Sequence, residues 1–162
     1  MSFQKKAVSF FRLRFKYKVL FFMNIVLCGL ARAAIHVFPL KYLTHYFGSF
    51  QKNVILSTCV SDKQRYQACV IGRSVRLAAK YTPWESSCLT QAMVAKFWCR
   101  RYRIPYVFYI GIEKNAQVSK GNTMAHAWLT AGPVAMTGGD GLESHHVVSS
   151  YVYFSSTRKF HH

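Results

Sequence analysis

The texture of this 162-residue chain changes at Pro105, and that change limits its fold class more than any other feature. After Pro105 comes Tyr106-Val107-Phe108-Tyr109-Ile110-Gly111-Ile112, an aromatic and β-branched run that reads as a strand buried on both faces. Before it, apolar residues recur at helical spacing. Residues 3–47 contain no proline ahead of Pro39 and suit one long or two shorter helices, with breaks at Pro39 and Gly48. A second helical segment spans about 61–80, limited by Pro83. A third starts where Ser86 or Ser87 can cap free N–H groups, and its stripe Cys88, Ala92, Ala95, Cys99 follows i, i+4, i+7, i+11.

Beyond the first strand, 114–122 reads as a loop and 123–130 as a second strand, on which Met124, His126 and Trp128 share a face. Gly132-Pro133 turns the chain into a short strand at 134–136, Gly138-Gly139-Asp140-Gly141 turns it again, and a last strand covers 147–154. The expected class is α+β, with N-terminal helices followed by an antiparallel sheet. The expected organisation is a basic, aromatic helical region over 1–58 and a second region over 59–162, together one compact unit. A hydrophobic content of 51% excludes disorder.

Charge separates the two ends of the chain. Lys and Arg number 22 against 5 Asp and Glu, a formal charge of +17 that calls for an anionic partner or surface. Lys5, Lys6, Arg12, Arg14, Lys16 and Lys18 precede the apolar run 19–31, an order that imitates a secretory signal without its cleavage site. Asn24 interrupts this run and Arg32 ends it, short of the roughly 20 residues needed to span a bilayer. The expectation is therefore a core or interfacial helix, either packed on the domain or lying on an anionic membrane face or acidic partner. Five cysteines at irregular spacing, with no C-x-x-C, suggest neither a disulfide framework nor a zinc knuckle and fit a reducing cytoplasm.

A cysteine nucleophile reacts as thiolate, and a helix N-terminus favours that form through its unpaired N–H groups and dipole. Cys88 occupies such a position. A histidine on a neighbouring strand supplies the base, and His126 is placed for it. An acceptor is then needed to fix the imidazole tautomer; Asp140 is the candidate, although Gly-Gly-Asp-Gly is also an ordinary turn. Trp84, just ahead of the nucleophile, either packs in the core or walls the cleft. Cys28, Cys59, Cys69 and Cys99 are assigned to packing. His145-His146 and His161-His162 lack acidic or cysteine ligands at a regular offset, so no metal and no cofactor are expected.

The elements Trp84-x-x-x-Cys88-Leu89-x-x-Ala92, Ile110-Gly111-Ile112 and Ala125-His126-Ala127-Trp128, followed by a glycine-containing strand and turn, resemble the lasso-peptide B2 proteins, the transglutaminase-like leader peptidases. The resemblance covers roughly residues 60–155 and implies a papain-like or transglutaminase-like fold, with a cysteine peptidase domain over 59–162. It implies that Cys88 attacks the peptide bond between leader and core of a ribosomally made precursor, with His126 relaying the proton, Asp140 orienting His126, and Trp84 and Trp128 near substrate. In the family the acid follows closely on the strand after the histidine, and the Gly138-Gly139 pair displaces it here. The resemblance also implies three partners: the lasso precursor, a separate B1 leader-binding protein, and an asparagine-synthetase-like cyclase that receives the core. The basic N-terminal region could dock on the B1–leader complex, on the cyclase, or peripherally on the inner membrane face.

Two other readings share these residues. A Cys-His-Asp triad also supports acyl transfer to an amine, as in transglutaminases and arylamine acetyltransferases. A basic, non-enzymatic module for nucleic acid or anionic lipid would owe its affinity to charge, although no base-specific nucleic-acid motif is present.

Overall fold

The computed structural model describes residues 15–113, 125–139, 143 and 145–154. Lys5, Lys6, Arg12, Arg14, the loop at 114–122, Met124, Asp140, Gly141 and the pair His161-His162 lie outside the described residues, as does the side chain of Lys16. Four helices are described: α1 (Phe15–Val37), α2 (Leu40–Thr44), α3 (Asp62–Tyr81) and α4 (Cys88–Arg101). The strands are β1 (Ser49–Phe50), β2 (Tyr106–Glu113), β3 (Ala125–Ala131), β4 (Val134–Thr137) and β5 (His145–Tyr153). The strands form one antiparallel sheet in the order β1-β5-β2-β3-β4. The fold is α+β, and apart from the two-residue β1 the helices come first and the sheet after, as the change of texture at Pro105 implies.

Strand β2 is the centre of the sheet, and its residues Tyr106 to Tyr109 are fully buried. Tyr106 and Phe108 face the helices in the main core, with Ala92, Ala95, Trp98, Ala127, Leu129 and Met136. Val107 and Tyr109 face the other way, where they pack with Trp128 and Val152 under a strap containing Leu56. The Tyr109 hydroxyl fastens that strap, accepting from the Leu56 amide at 3.0 Å and donating to the Leu56 carbonyl. Burial on both faces thus has two covers, one helical and one irregular. The short strand β1 carries no sequence signal of its own; it exists because Ser49 and Phe50 pair with Val152 and Tyr151 at the sheet edge.

Helix α3 begins with a full capping box. The Ser61 hydroxyl accepts from the Gln64 amide while the Gln64 side chain accepts from the Ser61 amide, satisfying two otherwise free donors.

The length expected for the apolar N-terminal segment is corrected. Helix α1 runs 23 residues, straight through both Asn24 and Arg32, and ends only ahead of Pro39. Its Tyr17–Val37 portion is long and apolar enough to cross a membrane by length and composition. Asn24 does not interrupt the helix because it points inward, fully buried, and both ends of its amide are satisfied. Its Oδ1 accepts from the Trp98 indole at 2.7 Å and its Nδ2 donates to Ser74 Oγ at 2.9 Å. Arg32 is likewise accommodated, donating to the Glu85 carbonyl.

One asparagine therefore ties α1 to both α3 and α4. Replacing it by alanine strands the buried Trp98 N–H, which costs about 2–3 kcal/mol. Asn24→Ala is expected to lower the urea midpoint with an unchanged slope; an unchanged midpoint would show that water replaces the lost partner without cost.

Candidate active site

The site forms where the start of α4 meets the start of β3. Ser87 caps α4, its hydroxyl accepting from the Thr90 amide at 3.3 Å. The preceding turn is held from two sides: Gln91 Nε2 donates to the Ser86 carbonyl at 3.0 Å, and Ser86 Oγ lies 2.9 Å from Thr82 Oγ1. Cys88 is thus the first residue of a firmly started helix, where unpaired N–H groups favour negative charge. Its side chain is half-buried, and Sγ accepts from the Ala127 amide at 3.4 Å. That amide is the peptide joining His126 to Ala127. The structure therefore brings the cysteine sulfur to the backbone of the expected base, with its hydrogen bond made to the strand rather than to the imidazole.

His126 is held by different groups. Its Nε2 lies 3.0 Å from the carbonyl oxygen of Gly138, across the β3–β4 pair. A carbonyl only accepts, so Nε2 carries the proton and the lone pair of the neutral ring sits on Nδ1. This is the tautomer that a base acting through Nδ1 needs, fixed by a backbone group two residues ahead of Asp140. The expected carboxylate lies outside the described residues, and the described acceptor is the Gly138 carbonyl.

Gly138 can play this part because it is glycine. Its φ of +80° lies in the left-handed region, and a Cβ there would fall 2.3 Å from Trp128 Cβ. Trp128 is 1% exposed and stacks on Tyr109 at 5.3 Å and on His126 at 5.8 Å. The structure places it beneath the imidazole as a rigid rest. Trp84 is half-buried, and its ring packs toward Gly29 of α1 just ahead of the nucleophile's turn.

His145 is the residue at this site that sequence reasoning missed. Read only as half of a possible metal pair, it instead opens β5 and stacks on His126 at 4.6 Å, with an interplanar angle of 24°. Gly111 is the strand residue beside this contact. It lies on β2 between β3 and β5, paired with His126 on one side and Val147 on the other. A Cβ on Gly111 would meet the Trp128 ring at 2.7 Å and the His146 carbonyl at 2.6 Å. The detectable signal was Ile110-Gly111-Ile112, a glycine inside a strand, which marks close approach of a neighbour.

The five cysteines are all free thiols. Cys28 and Cys99 are fully buried in the main core, and burial pushes both thiols up, away from reactivity. Cys88 alone combines a helix start with a strand histidine. Among the described residues, no group of three or more His, Cys, Asp or Glu side chains converges on a point.

A comparison with known protein families covers the segment that holds this cysteine and histidine. The model for the transglutaminase-like superfamily matches residues 34–150, from the last turn of α1 into β5. The chain belongs to that superfamily. No curated protein and no solved structure matches it. The matched segment contains Cys88, His126, Gly138 and His145 together. Membership supports an enzyme of cysteine-peptidase-like or transglutaminase-like chemistry.

Proposed function

We propose that this transglutaminase-like protein is a cysteine peptidase that removes the leader from a lasso-peptide precursor. The observation that carries the reading is Cys88 Sγ seated on the His126–Ala127 peptide while Gly138 holds His126 Nε2. In this reading Nδ1 accepts the thiol proton and the sulfur attacks the carbonyl at the leader–core junction. The protonated imidazole then returns its proton to the departing amine of the core. Water, deprotonated by the same nitrogen, hydrolyses the thioester and frees the leader. The Cys88 backbone N–H, at the helix start, is a natural donor to the oxyanion.

Support for this substrate comes from the three motif elements around Cys88, Gly111 and His126. A separate B1 protein would present the leader, and an asparagine-synthetase-like cyclase would take the core, both in the cytoplasm. The test is to incubate the protein with the precursor encoded beside it and its B1 partner, in excess of a primary amine, and to weigh the products. The peptidase reading expects free leader acid and core. A leader amide as the main product would move the assignment to acyl transfer, and an intact precursor in a folded, complete mixture would remove the lasso substrate.

A further inference from the structure

We propose that α1 is a docking element that lays the protein on an anionic lipid bilayer through its outward face, parallel to the surface and not across it. Phe15, Val19, Phe22, Val26 and Leu30 recur at i, i+4, i+7, i+11 and i+15, so they fall on a single stripe of the helix. All five are exposed, Phe15 at 79% and Leu30 at 62%. A shallow groove bounded by Phe15, Val19, Phe22, Met23 and Val26 runs along the stripe, with Lys18 at its edge. At 1.5 Å per residue the helix is about 34 Å long, which makes this an apolar strip far longer than an isolated surface leucine.

Charge says what covers it. None of the chain's five acidic residues precedes Asp62, whereas Lys5, Lys6, Arg12, Arg14, Lys16 and Lys18 lead into and open α1. An apolar helical stripe beginning in a block of sequence that carries cations and no carboxylate complements phosphate headgroups above an acyl boundary. Just past the helix Phe38, Leu40 and Tyr42 are exposed as well, and aromatic side chains favour the membrane interface.

The opposite face of α1 decides between lying and spanning. Asn24 and Cys28 are fully buried against α3 and α4, and Asn24 holds Trp98 and Ser74. Crossing the bilayer would pull Asn24 into hydrocarbon and leave the Trp98 N–H without its partner, a double loss of hydrogen bonds with no compensation in lipid. Lying in the interface keeps every one of those bonds and buries only the side already apolar and exposed.

The test uses the full chain and does not depend on its substrate. Purified protein is sedimented with phosphatidylglycerol-containing vesicles and with pure phosphatidylcholine vesicles, at low and high salt, beside the double variant Phe22→Ser/Val26→Ser. Both positions are exposed, and a melting curve confirms that the variant is folded. The expected result is binding to the anionic vesicles that weakens with salt, is released by alkaline carbonate, and drops roughly a hundredfold in the variant. No binding by the wild type, or equal binding by the folded variant, would overturn the proposal. Resistance to alkaline carbonate would overturn it in favour of a spanning helix. A wild-type dimer in lipid-free buffer that the variant turns into a monomer would assign the stripe to a second copy of the chain.

Discussion

Cys88→Ala is expected to abolish product formation while leaving the fold intact. In the proposed reaction the sulfur is the attacking atom, and the thiols of Cys28 and Cys99, fully buried in the core and pushed up by that burial, are not reactive substitutes for it. Loss of a covalent nucleophile lowers turnover by a factor on the order of 10⁴ or more. Stability should hardly respond, because the substitution removes one half-buried atom whose described hydrogen bond is the single weak one from Ala127. The measurement pairs single-turnover product analysis with a thermal melt. Undiminished product from the alanine variant would remove Cys88 from the chemistry and return the site to a binding role. Cys99→Ala is the contrasting control: it opens a cavity in the core, lowers the melting temperature, and leaves the chemical step alone.

Gly138→Ala is expected to damage both stability and turnover, through separate physical causes. The left-handed φ costs about 1–2 kcal/mol for a residue with a Cβ. The new methyl would also sit 2.3 Å from Trp128 Cβ and 3.0 Å from the Ala127 carbonyl, so the turn must move, adding roughly 1–3 kcal/mol of overpacking. That movement carries off the carbonyl that holds His126 Nε2. With its tautomer no longer fixed, the imidazole spends part of its time with the proton on the wrong nitrogen, and kcat should fall about tenfold to a hundredfold with little change in KM. Urea denaturation and steady-state kinetics below the melting point separate the two losses. A variant that is destabilised yet turns over normally would show that another group, Asp140 foremost, orients the ring.

How far the sequence reveals this molecule depends on the range of the interaction. The start of α4 was legible because capping is local: Ser87, Cys88 and Thr90 are neighbours in the chain. The helix-then-sheet order was legible too, because a buried central strand needs the unbroken apolar run that follows Pro105. Asn24 misled for the opposite reason. In a one-dimensional reading it is a polar break in an apolar run, and only the approach of Trp98, 74 positions away, turns it into an inward anchor. The orienting acceptor for His126 was hidden more deeply. A carboxylate can be searched for by residue type, whereas a backbone carbonyl is present at every position and only the fold selects Gly138. His145 escaped because ring stacking between strands has no spacing rule; its position is set by the β2–β5 register opposite Glu113.

The two glycines around Trp128 also have a consequence for descent. Gly111 and Gly138 come from different parts of the sheet, yet a Cβ on either would strike Trp128, its ring at Gly111 and its Cα and Cβ at Gly138. A lineage that drifts to alanine at Gly138 meets atoms that every residue but glycine at position 128 carries, so no smaller side chain there makes room. Alanine at Gly111 meets the Trp128 ring, which a smaller residue would withdraw, and the His146 carbonyl, which it would not. Gly138 is therefore expected to stay glycine whatever stands at position 128, whereas a relative carrying a smaller residue at the position of Trp128 is where a side chain at the position of Gly111 should first be found.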